Sequence, residues 1–155
     1  MLTVVADTGA ALSLALSGLL DLCKKHFRII IGEKIAEELE EISSTNDELG
    51  KAAKEVLKEI EIKPTAKNFE KGEHEALELL KETKADILVS DDIEFVKKNR
   101  NNEKISFSVI LFGILLEKGT ISKKDFMNAV NNIFEKREWE ENLIYLVAKN
   151  MLEEH

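Results

Sequence analysis

The stretch Leu2-Thr3-Val4-Val5-Ala6-Asp7-Thr8-Gly9 runs apolar and β-branched and then stops at an acid, a hydroxyl and a glycine. An apolar run without alternation is the pattern of a strand buried on both faces, and the residues that stop it are turn formers. Residues 2–6 are therefore predicted to be a strand with helices on either side. From Ala10 onward, Leu12, Leu16, Leu19, Leu20 and Cys23 recur at three- and four-residue intervals, which predicts one inward-packing helix. Residues 27–31 predict a second strand, ended by Gly32. Ile35, Leu39 and Ile42 then mark a helical face, closed by the polar break Ser43-Ser44-Thr45-Asn46. Ala52, Ala53, Val56, Leu57 and Ile60 mark another helix, and residues 60–63 a short edge strand before the only proline, Pro64.

The alternation continues. Ala76, Leu77, Leu79 and Leu80 predict a helix over residues 72–83, and residues 85–90 form a further apolar strand that stops at Asp91 and Asp92. Residues 105–108 predict a last strand, 109–116 a helix and 122–153 two amphipathic helices. Buried strands separated by helices indicate an α/β fold, a three-layer α/β/α domain with a mainly parallel central sheet. No repeat, low-complexity segment or linker divides it. The chain reads as one domain over 1–155, with a core over 1–118 and a C-terminal helical extension over 119–155.

Composition bounds the function. The 155 residues carry 22 Lys and Arg against 30 Asp and Glu, a formal charge of −8, with 44% apolar residues. A chain of this length buries about 70% of its unfolded surface, so no staple is needed. The single cysteine, Cys23, excludes an internal disulfide framework and a cysteine-based zinc site, and favours a reducing, cytoplasmic location. The apolar run over 10–22 is broken by Ser13, Ser17, Gly18 and Asp21, and the N-terminus lacks a basic leader, so neither a membrane span nor a signal peptide is expected. The acidic balance argues against a protein that holds nucleic acid mainly by blanket phosphate neutralisation. An acidic site still meets a phosphodiester when divalent cations lie between them.

In parallel sheets the ligand site lies beyond the carboxyl ends of the strands, where strand order reverses. Asp7 and the Asp91-Asp92 pair fall there. Each has a plain alternative as a helix N-cap, and only one of the adjacent pair can cap the helix that starts near Ile93. Two neighbouring carboxylates repel unless a cation is close. Glu38 shares a helical face with Ile35, Leu39 and Ile42, so it rides on the apolar stripe and must be paired, solvated in a cleft, metal-bound or turned outward along its stem. Glu75 follows the same logic on the face of Gly72, Ala76 and Leu79, whereas Glu73 points elsewhere. Asp7, Glu38, Glu75 and either Asp91 or Asp92 thus form a constellation whose oxygen ligands suit Mg²⁺ or Mn²⁺. His26, His74 and His155 read as surface residues without zinc-ligand spacing. The chain has no phosphate-binding glycine loop, no G-x-G-x-x-G and no G-x-S-x-G. Lys97, Lys98, Arg100 and Lys104 form a local basic run that reads either as a solvated helix end or as a phosphate contact.

The order of elements resembles the PIN domain, found in metal-dependent ribonucleases and in the toxin halves of VapBC toxin–antitoxin pairs. The resemblance covers residues 2 to about 118. It is carried by Val5-Ala6-Asp7-Thr8, Ile35-Ala36-Glu37-Glu38-Leu39, Gly72-Glu73-His74-Glu75-Ala76 and Leu88-Val89-Ser90-Asp91-Asp92. It implies that Asp7, Glu38, Glu75 and Asp92 are catalytic and, with Asp91, bind Mg²⁺ or Mn²⁺. Ser90 would support the loop and, with Lys97, Lys98 and Arg100, would meet substrate. The implied activity is hydrolysis of RNA phosphodiester bonds, with an antitoxin protein as a possible partner and a homodimer as the expected assembly. The competing reading is a non-catalytic PIN-like scaffold or protein-binding module, which has no need of convergent acids. Gly9 and Ala10 stand where related chains often have Ser or Asn and Pro, and Gly32 where Pro is common. Without metal, clustered carboxylates are expected to hold raised pKa values. Phe126, Val130, Phe134, Trp139, Leu143, Leu146, Val147 and Met151 recur at helical spacing and predict core or dimer packing.

Overall fold

Strand β1 (Leu2–Ala6) is the centre of the protein, in a computed structural model that describes residues 1–155. It is followed by α1 (Thr8–Leu16), α2 (Leu20–His26), β2 (Phe27–Gly32), α3 (Glu33–Ser43), α4 (Glu48–Glu59) and β3 (Glu61–Lys63). Then come α5 (Gly72–Glu82), β4 (Ile87–Val89), α6 (Ile93–Lys98), β5 (Ile105–Ser106), α7 (Val109–Glu117), α8 (Lys123–Lys136) and α9 (Leu143–Glu153). All five strands are parallel, in the order β3-β2-β1-β4-β5. Val5 lies opposite both Ile30 and Leu88.

Successive side chains of a strand point to opposite faces, and both faces here are apolar. Val5, Ile30, Leu88 and Ile105 pack beneath Ala76, Leu79 and Leu80 of α5 and Phe95 of α6. Val4, Ala6, Ile29, Ile31 and Val89 pack on the other side with α1, α3, α4, α7, α8 and α9. The result is the three-layer α/β/α architecture, and it explains why the strands read as unbroken apolar runs. No helix is long and apolar enough to cross a membrane.

Three elements differ from the sequence expectation. The single helix expected from Ala10 to Cys23 is two helices. Ser17 Oγ donates to Leu14 O (2.7 Å) and accepts from Leu19 N–H (3.0 Å), and Gly18 follows with φ of +82°. This local alternative to helical bonding turns the chain. Strands β4 and β5 are shorter than the apolar runs that announced them, because burial continues past the ladder into Ser90 and Phe107. Helix α8 begins with a capping box, Ser122 with Asp125, and buries Phe126, Ala129, Val130, Ile133 and Phe134 in the larger core; α9 adds Ile144 and Ala148.

Candidate active site

The chain leaves β1 for β2 on one side and later crosses to β4 on the other, so the helices after β1 and β4 diverge and leave a crevice. A cleft of about 750 Å³ opens there. Asp7, at the end of β1, is only 7% exposed. Its backbone N–H continues the ladder to Val89 O (3.1 Å), which fixes where the side chain emerges. Asp7 Oδ1 accepts from Ala10 N–H (2.9 Å) and caps α1, and Oδ2 accepts from the Ser90 hydroxyl. Cap and cleft roles thus coincide in one residue. Burial pushes the Asp7 carboxyl up to about 7, and the charges of Asp91 and Asp92 push the same way against the Ser90 and Ala10 bonds.

The two acids after β4 divide their tasks. Asp91, 9% exposed, accepts from Ser108 N–H (2.9 Å) and from the Ser108 hydroxyl (2.7 Å). Asp92 caps α6 by accepting from Phe95 N–H (3.1 Å), and its own N–H donates to Ser90 Oγ (3.2 Å). Both line the cleft. Ser90, expected to meet substrate, is instead fully buried beneath them and braces Asp7 and Asp92 from behind the cleft wall.

Glu38 reaches the cleft from α3. Its Oε2 accepts from Thr8 Oγ1 (2.5 Å) and its Oε1 from Gly72 N–H (3.1 Å), which ties the starts of α1 and α5 together. Glu75, by contrast, does not line the cleft. It is 2% exposed and accepts from Lys34 N–H (2.9 and 3.0 Å) and Ile35 N–H (3.2 Å). A carboxylate on the first free N–H groups of α3 is a favourable cap. Gly32, with no side chain of its own to cap α3, makes this possible, since a Cβ there would lie 1.9 Å from Glu75 Oε1. Glu73, expected to point elsewhere, lines the cleft in its stead, with exposed His74 beside it. Of the basic run, Lys98 lines the cleft, while Lys97 and Arg100 do not.

Of the lining residues that the sequence reading did not single out, Glu70, Lys71, Glu94, Asn99 and Arg137, the last is the most firmly held. Arg137, at the C-terminal end of α8, donates from Nη1 to Gly9 O (2.8 Å) and to Ser13 Oγ (2.8 Å), and its guanidinium lies 4.2 Å from the centre of the Trp139 ring. A signal existed: position 137 continues the apolar stripe of Val130, Ile133 and Phe134 by steps of three, four and seven, the criterion that singled out Glu38.

Fold and cleft together define a three-layer parallel α/β domain with an acid-lined crevice at its topological switch point. Comparison with protein families places it further: the family DUF3368, a PIN domain, matches residues 3–153, and the chain belongs to this family. The match extends through α8 and α9, beyond the region that carried the sequence resemblance. No curated protein matches the chain. The PIN fold is a nuclease fold, and its members typically use divalent metals.

The donor set was tested against such an ion. Asp7, Glu38, Asp91 and Asp92 present only carboxylate oxygens, the chemistry of a hard cation. No group of three or more His, Cys, Asp or Glu side chains is arranged to grip an ion directly, and Ser108, Thr8, Gly72 and Phe95 engage several of the oxygens. A cation bound through one or two carboxylates and otherwise hydrated, as Mg²⁺ prefers, fits this set.

Proposed function

We propose that this protein is a divalent-metal-dependent endoribonuclease that hydrolyses RNA phosphodiester bonds in the cleft between β1 and β4. The observation that carries the proposal is Asp7, a carboxyl buried at the switch point, pushed up to about 7 and facing a cleft shared with Asp91, Asp92 and Glu38. A buried anion with no cation is costly, and perturbed acids in a cleft mark functional sites. One or two of Asp7, Glu38, Asp91 and Asp92 would hold a hydrated Mg²⁺ or Mn²⁺. The ion would supply positive charge against the phosphate and acidify water.

The chain's own contribution is positioning. Ser90 and Ala10 hold Asp7 in one orientation, Ser108 does the same for Asp91, and Thr8 and Gly72 for Glu38. Glu75 acts at one remove, by holding the start of the helix that carries Glu38. Lys98 lines the same cleft and would meet a phosphate flanking the reacting one.

The test is cleavage of a mixed single-stranded RNA pool with Mn²⁺ or Mg²⁺, with EDTA, and with Asp7→Asn. Cutting that needs metal and is lost in the variant is the expected result. An inert wild type that also binds no Mn²⁺ by calorimetry would replace the proposal with a protein-binding module.

A further inference from the structure

The acidic cleft holds one fixed cation whose binding edge is unused. Arg137 spends Nη1 on Gly9 O and Ser13 Oγ, and its ring-like face packs on Trp139. Its Nε and Nη2 donate to no protein atom and form no ion pair. They are not sealed in either, since no buried side-chain nitrogen or oxygen of this protein lacks a partner and Arg137 lines the cleft. Nε and Nη2 therefore each keep contact with solvent, and Nη2 lies beside Gly9, itself a cleft residue.

That pair is a bidentate edge, the part of a guanidinium that matches two oxygens of one phosphate. Its place is defined by Gly9. A methyl group built on Gly9 would lie 3.9 Å from Arg137 Nη2, 3.9 Å from Asp7 Oδ1 and 4.0 Å from Asp91 Cβ. Burial holds the Arg137 guanidinium below its usual value; the charges of Asp91 and Asp7 act against this, and neither acid takes a hydrogen bond from it. Lys71 and Lys98, which also line the cleft, are exposed and have no such anchorage. A rigid, stacked guanidinium loses little freedom when it binds, and its stem is held by α8.

We propose that Arg137 anchors a backbone phosphate of the RNA substrate through Nε and Nη2, next to the carboxylates at the end of β1. This rests on the ribonuclease reading, which supplies the substrate. It gives the C-terminal helices a part in binding, because the arginine comes from the end of α8 and its stacking partner, Trp139, from the turn that follows.

The experiment uses the full chain in an Asp7→Asn background and a fluorescein-labelled ten-nucleotide single-stranded RNA, with anisotropy read across a salt series. Adding Arg137→Ala should weaken binding roughly tenfold or more and flatten the plot of log K against log salt by about 0.7, the share of one phosphate. Arg137→Lys should keep the slope and bind several-fold more weakly, because the fork is lost. Ser13→Ala, which removes one support of Nη1 and leaves the open edge in place, should keep the slope. An unchanged slope in Arg137→Ala, full affinity in Arg137→Lys, or a Ser13→Ala variant that reproduces the Ala effect would each overturn the anchor and leave Arg137 a structural strap. Cleavage by the chain with native Asp7 in Mn²⁺ is scored separately. RNA cut with no role for Arg137 sinks only the anchor, RNA held through Arg137 but never cut sinks only the ribonuclease reading, and RNA neither held nor cut sinks both.

Discussion

Asp7→Asn should make the metal-free protein more stable at neutral and alkaline pH. The folded-state pKa of Asp7 is raised from 3.8 to about 7 by burial, at 7% exposure. Below pH ~4 the carboxyl is protonated in both folded and unfolded chains and costs nothing. Between pH ~4 and ~7 the folded chain keeps a proton that the unfolded chain gives up, so stability falls by about 1.4 kcal/mol per pH unit. Above pH ~7 the loss levels off at a ceiling of about 4 kcal/mol. Asparagine keeps the volume and the bond from Ala10 N–H, and its amide group can donate to Ser90 Oγ. For a domain of this size the gain at pH 8 corresponds to roughly 5–15 °C in melting temperature. The assay is thermal and urea unfolding of both proteins from pH 4 to 8.5 in EDTA, repeated with Mn²⁺. Mn²⁺ should raise the wild type at pH 8 and raise the variant less, since only the wild type offers the anionic oxygen. Parallel pH profiles of the two proteins, or a variant less stable than wild type at pH 8 in EDTA, would refute the claim that a desolvated charge sits at the end of β1.

Glu75→Gln removes the charge that caps α3 and should cost about 2–3 kcal/mol in urea unfolding, while Mn²⁺ affinity of the folded variant stays within about twofold, because Glu75 lies outside the cleft. Equal losses of stability and metal affinity would return Glu75 to the site. Glu38→Gln cannot accept from both Thr8 and Gly72 through carboxylate oxygens, so RNA cleavage and Mn²⁺ affinity should drop by about 10- to 100-fold with a smaller change in melting; calorimetry and a cleavage time course check this. Lys98→Ala should lower RNA affinity and flatten its salt dependence by about 0.7, whereas Lys97→Ala and Arg100→Ala, outside the cleft, should leave both alone.

The sheet was legible because both of its faces are apolar. Val4, Val5 and Ala6 carry that information alone, and the acids that follow β1 and β4 mark where the strands end. Local competition was less legible: Ser17 bonding to Leu14 O and to Leu19 N–H breaks a helix whose apolar spacing runs straight through. The same limit explains Glu38 and Glu75. Both sit on an inward helical stripe, and periodicity reports that a side chain points inward without reporting what it meets. Glu38 meets a crevice. Glu75 meets the bare start of α3, a target created by Gly32, and only the approach of α5 to β2 shows it. Glu73, one face away, reaches the cleft because α5 begins at its rim.

The C-terminal helices cannot be treated as an attachment to a finished domain. Phe126, Val130, Ile133, Phe134 and Ile144 lie in the same core as Val4, Ala6 and Ile31 of the sheet. Burial of each such side chain is worth about 1.5–3 kcal/mol, so losing even one removes a sizeable share of the roughly 5–15 kcal/mol of net stability of an ordinary domain. The segment that begins after residue 118 therefore completes the hydrophobic layer over β1. The same packing fixes the end of α8 against α1, where Arg137 reaches Gly9 and Ser13. Core and cleft are completed by one helix, so a substitution that loosens α8 must also move the guanidinium beside Asp7. Stability and the electrostatics of the cleft are coupled through that contact.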